Sequence, residues 1–184
     1  MKLCLNTSTI QLQPLLDKIQ ITAEAGFSGC ELWINDIYQY IGQGGEVRDI
    51  ENALADNGLE IPCMIAIRGW GEAIGKEYQL ILDEACRRME IAARLGSLFV
   101  VATPPREPCE HNQLTDRFGD LLEIGDQIGI RPTLEYISFF KGLSTLDDAW
   151  KIIQSIGGTA TLIADSFHTW NSHSDRTLLG RIPA

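Results

Sequence analysis

Two stretches of the sequence place a titratable side chain at the end of an apolar run, where a strand would deliver it to a loop. Residues 131–136 read Arg-Pro-Thr-Leu-Glu-Tyr, so Glu135 is a lone carboxylate closing an otherwise apolar segment. A lone glutamate is seldom buried without a partner or a task. Glu135 is therefore either a structural carboxylate hydrogen-bonded within a strand wall or a catalytic group at a strand end. Residues 161–165 read Thr-Leu-Ile-Ala-Asp, and His168 follows Asp165 by three positions. An aspartate and a histidine this close at a strand mouth suit a divalent metal ion and a polarised substrate oxygen. An ordinary loop pair can have the same spacing.

Trp33 closes the second apolar run, and Arg68 and Trp70 follow the third. From there an arginine and aromatic rings could shape a pocket for a polyol or its anionic relative, or merely pad loops against a rim. Glu31 lies inside the second run, and the strand register that decides whether it points inward is left open by the sequence. His111 and His173 read as surface-loop histidines.

The elements that must hold these residues form a repeat of short strand and amphipathic helix. Candidate strands cover residues 3–6, 29–33, 61–66, 98–103, 131–136 and 161–165, starting about 30 residues apart, the size of a βα unit. Between them, apolar residues keep the i, i+3, i+4, i+7 spacing of one buried helix face: Leu12, Leu15 and Ile19; Val47, Ile50 and Leu54; Ile81, Ala85, Met89 and Ala92; Leu114, Phe118 and Leu121; Trp150 and Ile153. Gly26, Gly58, Gly96, Gly129 and Gly157 stand where a left-handed residue would end each helix. Ser144 or Thr145, with Asp147 or Asp148 three residues on, resembles a capping box.

Such alternation fits a doubly wound sheet or a closed barrel. The loop after the first strand, Thr7-Ser8-Thr9-Ile10, contains no glycine, which argues against a dinucleotide-binding turn. The glycine cluster at residues 42–45 lacks the Lys-Ser/Thr pair of a phosphate loop and reads as a flexible loop. Eight-unit barrels run to about 250 residues, and six units in 184 extrapolate to a similar total. The expectation is an α/β fold, a (β/α)8 TIM barrel with only its first six βα units present, forming one partial domain over residues 1–184. The end of the chain reads as a sixth helix breaking before a seventh strand.

Fifteen basic against twenty-five acidic side chains give a formal charge of −10, which repels nucleic acid and anionic membranes. The N-terminal apolar stretch is too short for a signal-peptide core or a membrane span, so a cytoplasmic protein is expected. Five cysteines with no C-x-x-C pair signal neither a disulfide framework nor a structural zinc site. Cys4, Cys30 and Cys63 fall in candidate strands, where buried thiols behave as small hydrophobes.

Four segments together resemble the xylose-isomerase-like TIM barrels, a group that includes endonuclease IV, sugar epimerases, hydroxypyruvate isomerases and inosose dehydratases. They are Ala-Glu-Ala-Gly-Phe-Ser-Gly-Cys-Glu-Leu-Trp at residues 23–33, Val-Val-Ala-Thr-Pro-Pro at 100–105, Leu134-Glu135, and Asp-Ser-Phe-His at 165–168. The resemblance implies that Glu135 and Asp165 bind one divalent metal ion (Mn, Mg, Co or Zn) and that His168 contacts substrate, while Arg68 and Trp33 are expected from their positions to contact substrate at the same mouth. It implies a metal-dependent sugar or sugar-phosphate isomerase or epimerase, in which Glu135 is one of two glutamates moving a proton through an enediolate. The substrate would be a small carbohydrate or keto acid. The family's remaining ligands, a histidine and a glutamate, would fall about 25 and about 60 residues past Asp165, so these 184 residues alone are expected not to turn over.

Other members of the group set the alternatives. A dehydratase acting on a cyclic polyol or dehydroshikimate needs the same metal and base. An endonuclease IV-like phosphodiesterase is disfavoured, because no histidine precedes His111 and the charge is −10. Lys141 occupies a position where ketohexose epimerases carry an acid, which points to an anionic substrate or to a solvated loop tip. A non-enzymatic remnant is the third class. An open barrel would leave two strand edges unpaired, so association into a homo-oligomer is expected.

Overall fold

The computed structural model describes residues 2–183; Met1 and Ala184, the two ends of the chain, lie outside them. Six parallel strands form one sheet in chain order: β1 (Cys4–Asn6), β2 (Gly29–Trp33), β3 (Cys63–Ile67), β4 (Phe99–Ala102), β5 (Arg131–Leu134) and β6 (Thr161–Leu162). Helices α1 (Leu15–Glu24), α2 (Ile34–Gly42), α3 (Val47–Asp56), α4 (Gly75–Arg94), α5 (His111–Ile128) and α6 (Leu146–Ile156) connect them, and α7 (Ser166–Asn171) follows β6. Sequential parallel order with a helical crossover at every step is the winding of a TIM barrel. Strands β1 and β6 each pair on one side only, so the inner face of the sheet opens between them.

Strand polarity follows from which face meets the helices. Along β2, Cys30 and Leu32 are fully buried while Glu31 and Trp33 are half-buried on the opposite face. Register carries that level across the sheet, pairing Leu32 with Met64, Met64 with Val100 and Val100 with Pro132. The helices answer with matching stripes, Ala85, Met89 and Ala92 on α4 and Leu114, Phe118 and Leu121 on α5. Gly125 in α5 is required by close approach, because a Cβ there would stand 2.5 Å from the Ile130 carbonyl oxygen and from the Pro132 ring. All five expected stop glycines have positive φ, between 61° and 84°. Thr145 caps α6, its hydroxyl accepting from the Asp148 amide at 3.1 Å.

Several local expectations are corrected. Residues 34–42 form α2, with Ile34 and Ile37 buried, a helix of about two and a half turns whose stripe is too short to stand out from periodicity. Of the glycine cluster, Gly42 closes α2 and Gly44 and Gly45 lie in the turn and loop that follow, where a Cβ on Gly45 would stand 2.2 Å from the Tyr40 ring. Strands β5 and β6 end earlier than expected, although the ladder continues in single bonds from the Glu135 amide to the Ala102 carbonyl (3.2 Å) and from the Ile163 amide to the Leu134 carbonyl (2.9 Å). Of the three strand cysteines only Cys30 is buried: Cys4 opens an edge strand and Cys63 lies half-buried on β3. No helix among the described residues is long and apolar enough to cross a membrane.

Candidate functional site

The C-terminal ends of the strands deliver a band of polar side chains to the inner face. Asn6, the last residue of β1, sits beside Glu31 in register. Its carbonyl oxygen accepts from the Ser8 amide (2.9 Å) and from the Trp33 indole Nε1 (3.0 Å), which turns its NH2 group toward Glu31 Oε2 at 2.7 Å. The Arg68 guanidinium lies 5.4 Å from the centre of the Trp33 ring, at cation–π distance.

Glu135 stands one residue past β5 and is half-buried. Burial pushes its carboxyl up to about 7, the charges of Glu31 and Asp165 add to the rise, and Arg68 opposes it. Glu31 is raised as well, by burial first and by the charge of Asp165 more weakly, while the Asn6 hydrogen bond pulls it back. The charges of Glu31 and Asp165 thus both reach Glu135 across the inner face. A carboxyl balanced near neutrality can both take and return a proton, as a general base must.

Asp165 has two tasks available to it. Its Oδ1 caps α7 by accepting from the His168 amide at 2.7 Å, and its Oδ2 accepts no hydrogen bond among the described residues. The cap turns His168 toward the loop after β5, where the Ser138 amide donates to Nδ1 at 3.4 Å and the Ser138 hydroxyl lies 3.1 Å from it. Asn171 donates to that hydroxyl oxygen at 3.0 Å, leaving its proton for Nδ1. Nδ1 is thus the acceptor and Nε2 carries the ring proton, with Phe139 and Phe167 meeting the ring edge-on at 5.4 and 5.2 Å. Beneath, fully buried Tyr136 hydrogen-bonds through its hydroxyl to Thr169.

The expected residues thus separate. Glu135 and Asp165 face each other's charge, and Trp33 and Arg68 form one wall with Glu31 and Asn6. His168 belongs to a second cluster with Ser138. Trp70 leaves the mouth altogether: it is fully buried, 6.0 Å from Phe118, and its indole donates to the Thr103 carbonyl at 2.8 Å. Lys141 pairs with Glu107 at 3.4 Å on an exposed loop, which fits a solvated tip. His111 opens α5 and His173 follows α7, both exposed. Asn6 and Ser138 were missed in the sequence. Asn6 obeys the same rule that singled out Glu135, a polar residue ending a strand, but β1 is only three residues long.

Among the described residues no three His, Cys, Asp or Glu side chains gather closely enough to hold a metal ion together. Glu135 and Asp165 still offer hard oxygen donors on the inner face, where the charges of Glu31 and Asp165 raise the Glu135 carboxyl and a cation would offset them. The donor set fits two ligands of a divalent ion.

Residues 19–182 match the xylose isomerase-like TIM barrel family, and the chain belongs to that family. Among particular proteins, it is 28% identical over 184 residues to the 3-dehydroshikimate dehydratase of Pseudomonas aeruginosa, a match covering 96% of this chain and 28% of that enzyme. Its fold superimposes with a TM-score of 0.88 and 26% identity on a xylose isomerase-like TIM barrel/4-hydroxyphenylpyruvate dioxygenase fusion protein, covering all of this chain and 29% of the other. The IOLI protein, solved with a bound zinc atom, superimposes with a TM-score of 0.87 at 20% identity, covering 99% of this chain and 69% of its own.

Proposed function

We propose that the protein is a metal-dependent dehydratase of a hydroxylated cyclic keto acid, of the 3-dehydroshikimate kind, with Glu135 as its base. The observation that carries the reading is a half-buried Glu135 at the end of β5 whose carboxyl is raised to about 7 by partial burial and by the charges of Glu31 and Asp165. The Pseudomonas relative favours elimination over isomerisation or epimerisation, which would begin with the same proton abstraction. Arg68 supports an anionic substrate. It lies at the mouth with no carboxylate within ion-pair distance among the described residues, and burial together with the charges of Arg88 and Arg106 makes its charged form costly.

Glu135 and Asp165 would hold the divalent ion, which when bound would polarise the ketone oxygen of the substrate. Glu135 then takes the proton from the carbon next to the ketone, and the C–H electron pair moves into an enolate. The enolate collapses to a C=C bond as the β-hydroxyl takes that proton back from Glu135 and leaves as water, and tautomerisation of the ring ketone, a ring CH2 losing a proton as the ketone oxygen gains one, then gives the aromatic product. His168, whose Nδ1 accepts from the Ser138 amide, would donate from Nε2 to a substrate oxygen. Trp33 offers a flat wall for the ring.

The test is turnover of 3-dehydroshikimate by the chain extended with the two βα units expected to supply the remaining histidine and glutamate ligands. Loss of water gives an aromatic ring that is read by ultraviolet absorbance. Turnover that requires Mg2+ or Mn2+ and stops with EDTA is the expected result. No aromatic product under any metal, alongside turnover of a ketohexose, would replace this reading with the isomerase one.

A further inference from the structure

Glu31 is a carboxylate on the inner face that the dehydration above leaves without a task. It projects from β2 between two fully buried residues of the opposite face, Cys30 and Leu32. In strand order β2 lies three strands from β5 and four from β6, so in a closing sheet it looks across the inner space toward Glu135 and Asp165. A ring bound between them would have the base on one side and Glu31 on the other.

The polar chemistry around Glu31 is one-sided. The Asn6 carbonyl is occupied by the Ser8 amide and the Trp33 indole, so only the Asn6 NH2 group can meet Glu31, and it meets Oε2. Glu31 Oε1 has no hydrogen-bond partner among the described residues. An ionised carboxylate only accepts hydrogen bonds, and a half-buried one is costly without donors. Arg68 stands over the neighbouring indole without pairing with Glu31, so the group that enters between them must offer an anion to one and a donor to the other.

We propose that Glu31 binds a hydroxyl of the substrate through Oε1, with Asn6 as the positioning residue that holds Oε2. The assignment rests on the dehydratase reading, because it needs a ring that carries both hydroxyls and a carboxylate. It makes the inner wall of β1 and β2 a specificity element rather than a spectator.

Isothermal titration of the intact protein with two non-reacting probes tests this: shikimate, and cyclohex-1-ene-carboxylate, which keeps the ring and carboxylate but lacks the hydroxyls. The native protein should prefer shikimate by roughly ten- to a hundredfold, the worth of one hydrogen bond to a charged acceptor. Glu31→Ala should abolish that preference while leaving the affinity for cyclohexene-carboxylate within about twofold. Asn6→Ala, which keeps the carboxylate but frees it, should lose part of the preference, roughly threefold to tenfold. If both variants keep the full preference, or weaken both probes equally, the Glu31 assignment is overturned while the dehydratase reading stands. A native protein that binds neither probe overturns the substrate reading, and the Glu31 assignment with it.

Discussion

On the helix-facing side of the sheet, Leu32, Met64, Val100, Ala102 and Leu134 are sealed from solvent. On the other side Glu31, Trp33, Cys63 and Glu135 remain half-buried, with carboxylates whose charges repel one another. The same strands supply both surfaces, because successive side chains alternate. One surface removes apolar area from water and carries the fold. The other keeps charged groups partly desolvated, an arrangement that costs stability and is useful only if something binds there. Substitutions on the two faces should therefore fail in different ways.

The largest effect is expected at Glu135. Glu135→Gln keeps the shape and removes the base, so the dehydration rate should fall roughly a thousandfold, about 4 kcal/mol in the barrier. Its melting temperature should not drop, because a carboxyl that is hard to ionise has been replaced by a neutral amide. A melting temperature several degrees lower would make Glu135 a structural residue instead. Leu32→Ala tests the opposite face. It should cost about 3 kcal/mol in urea denaturation by opening a cavity against the helices, while the rate per folded molecule stays the same.

The two faces should also differ in their response to pH. Glu135 is pushed from 4.5 to about 7, so the folded chain holds this proton more tightly than the unfolded chain. Its stabilising contribution is complete below the ordinary carboxyl range and is lost as pH rises through about 7. Metal-free protein should therefore lose about 3 kcal/mol of stability between about pH 4.5 and about pH 8, and Glu135→Gln should lose correspondingly less. Mn2+ added at the upper end should restore stability to the native protein and not to the variant. Parallel pH curves for the two would show that Glu135 does not feel this pocket.

The outer face was the more legible in the sequence, for a physical reason. Helix stripes and stop glycines are local patterns, so Ile50, Met89, Phe118 and Gly129 could be placed without knowing what they touched. Glu135 and Asp165 were visible because each ends an apolar run. The Asn6–Glu31–Trp33 network was not, because it joins residues 25 and 27 positions apart through a register that exists only once β1 and β2 pair. Trp70 misled because an aromatic after a strand can turn outward to the mouth or inward to the core. Here the buried carbonyl of Thr103 and the ring of Phe118 draw it into the core.

The smallest expected effect concerns two helix caps that use the same geometry on different faces. Thr145 caps α6 within the outer layer, and Asp165 caps α7 at the mouth. Thr145→Ala should cost about 1 kcal/mol and nothing else. Asp165→Ser replaces one good capping side chain with another, so it should change stability by less than about 1 kcal/mol. Yet it removes the carboxylate Oδ2 that α7 does not use, and with it a ligand for the cation. Calorimetric titration with Mn2+ should then show binding to Thr145→Ala as to the native protein, and none to Asp165→Ser. If Asp165→Ser binds Mn2+ unchanged, Asp165 serves α7 alone, and the divalent ion must be held without β6.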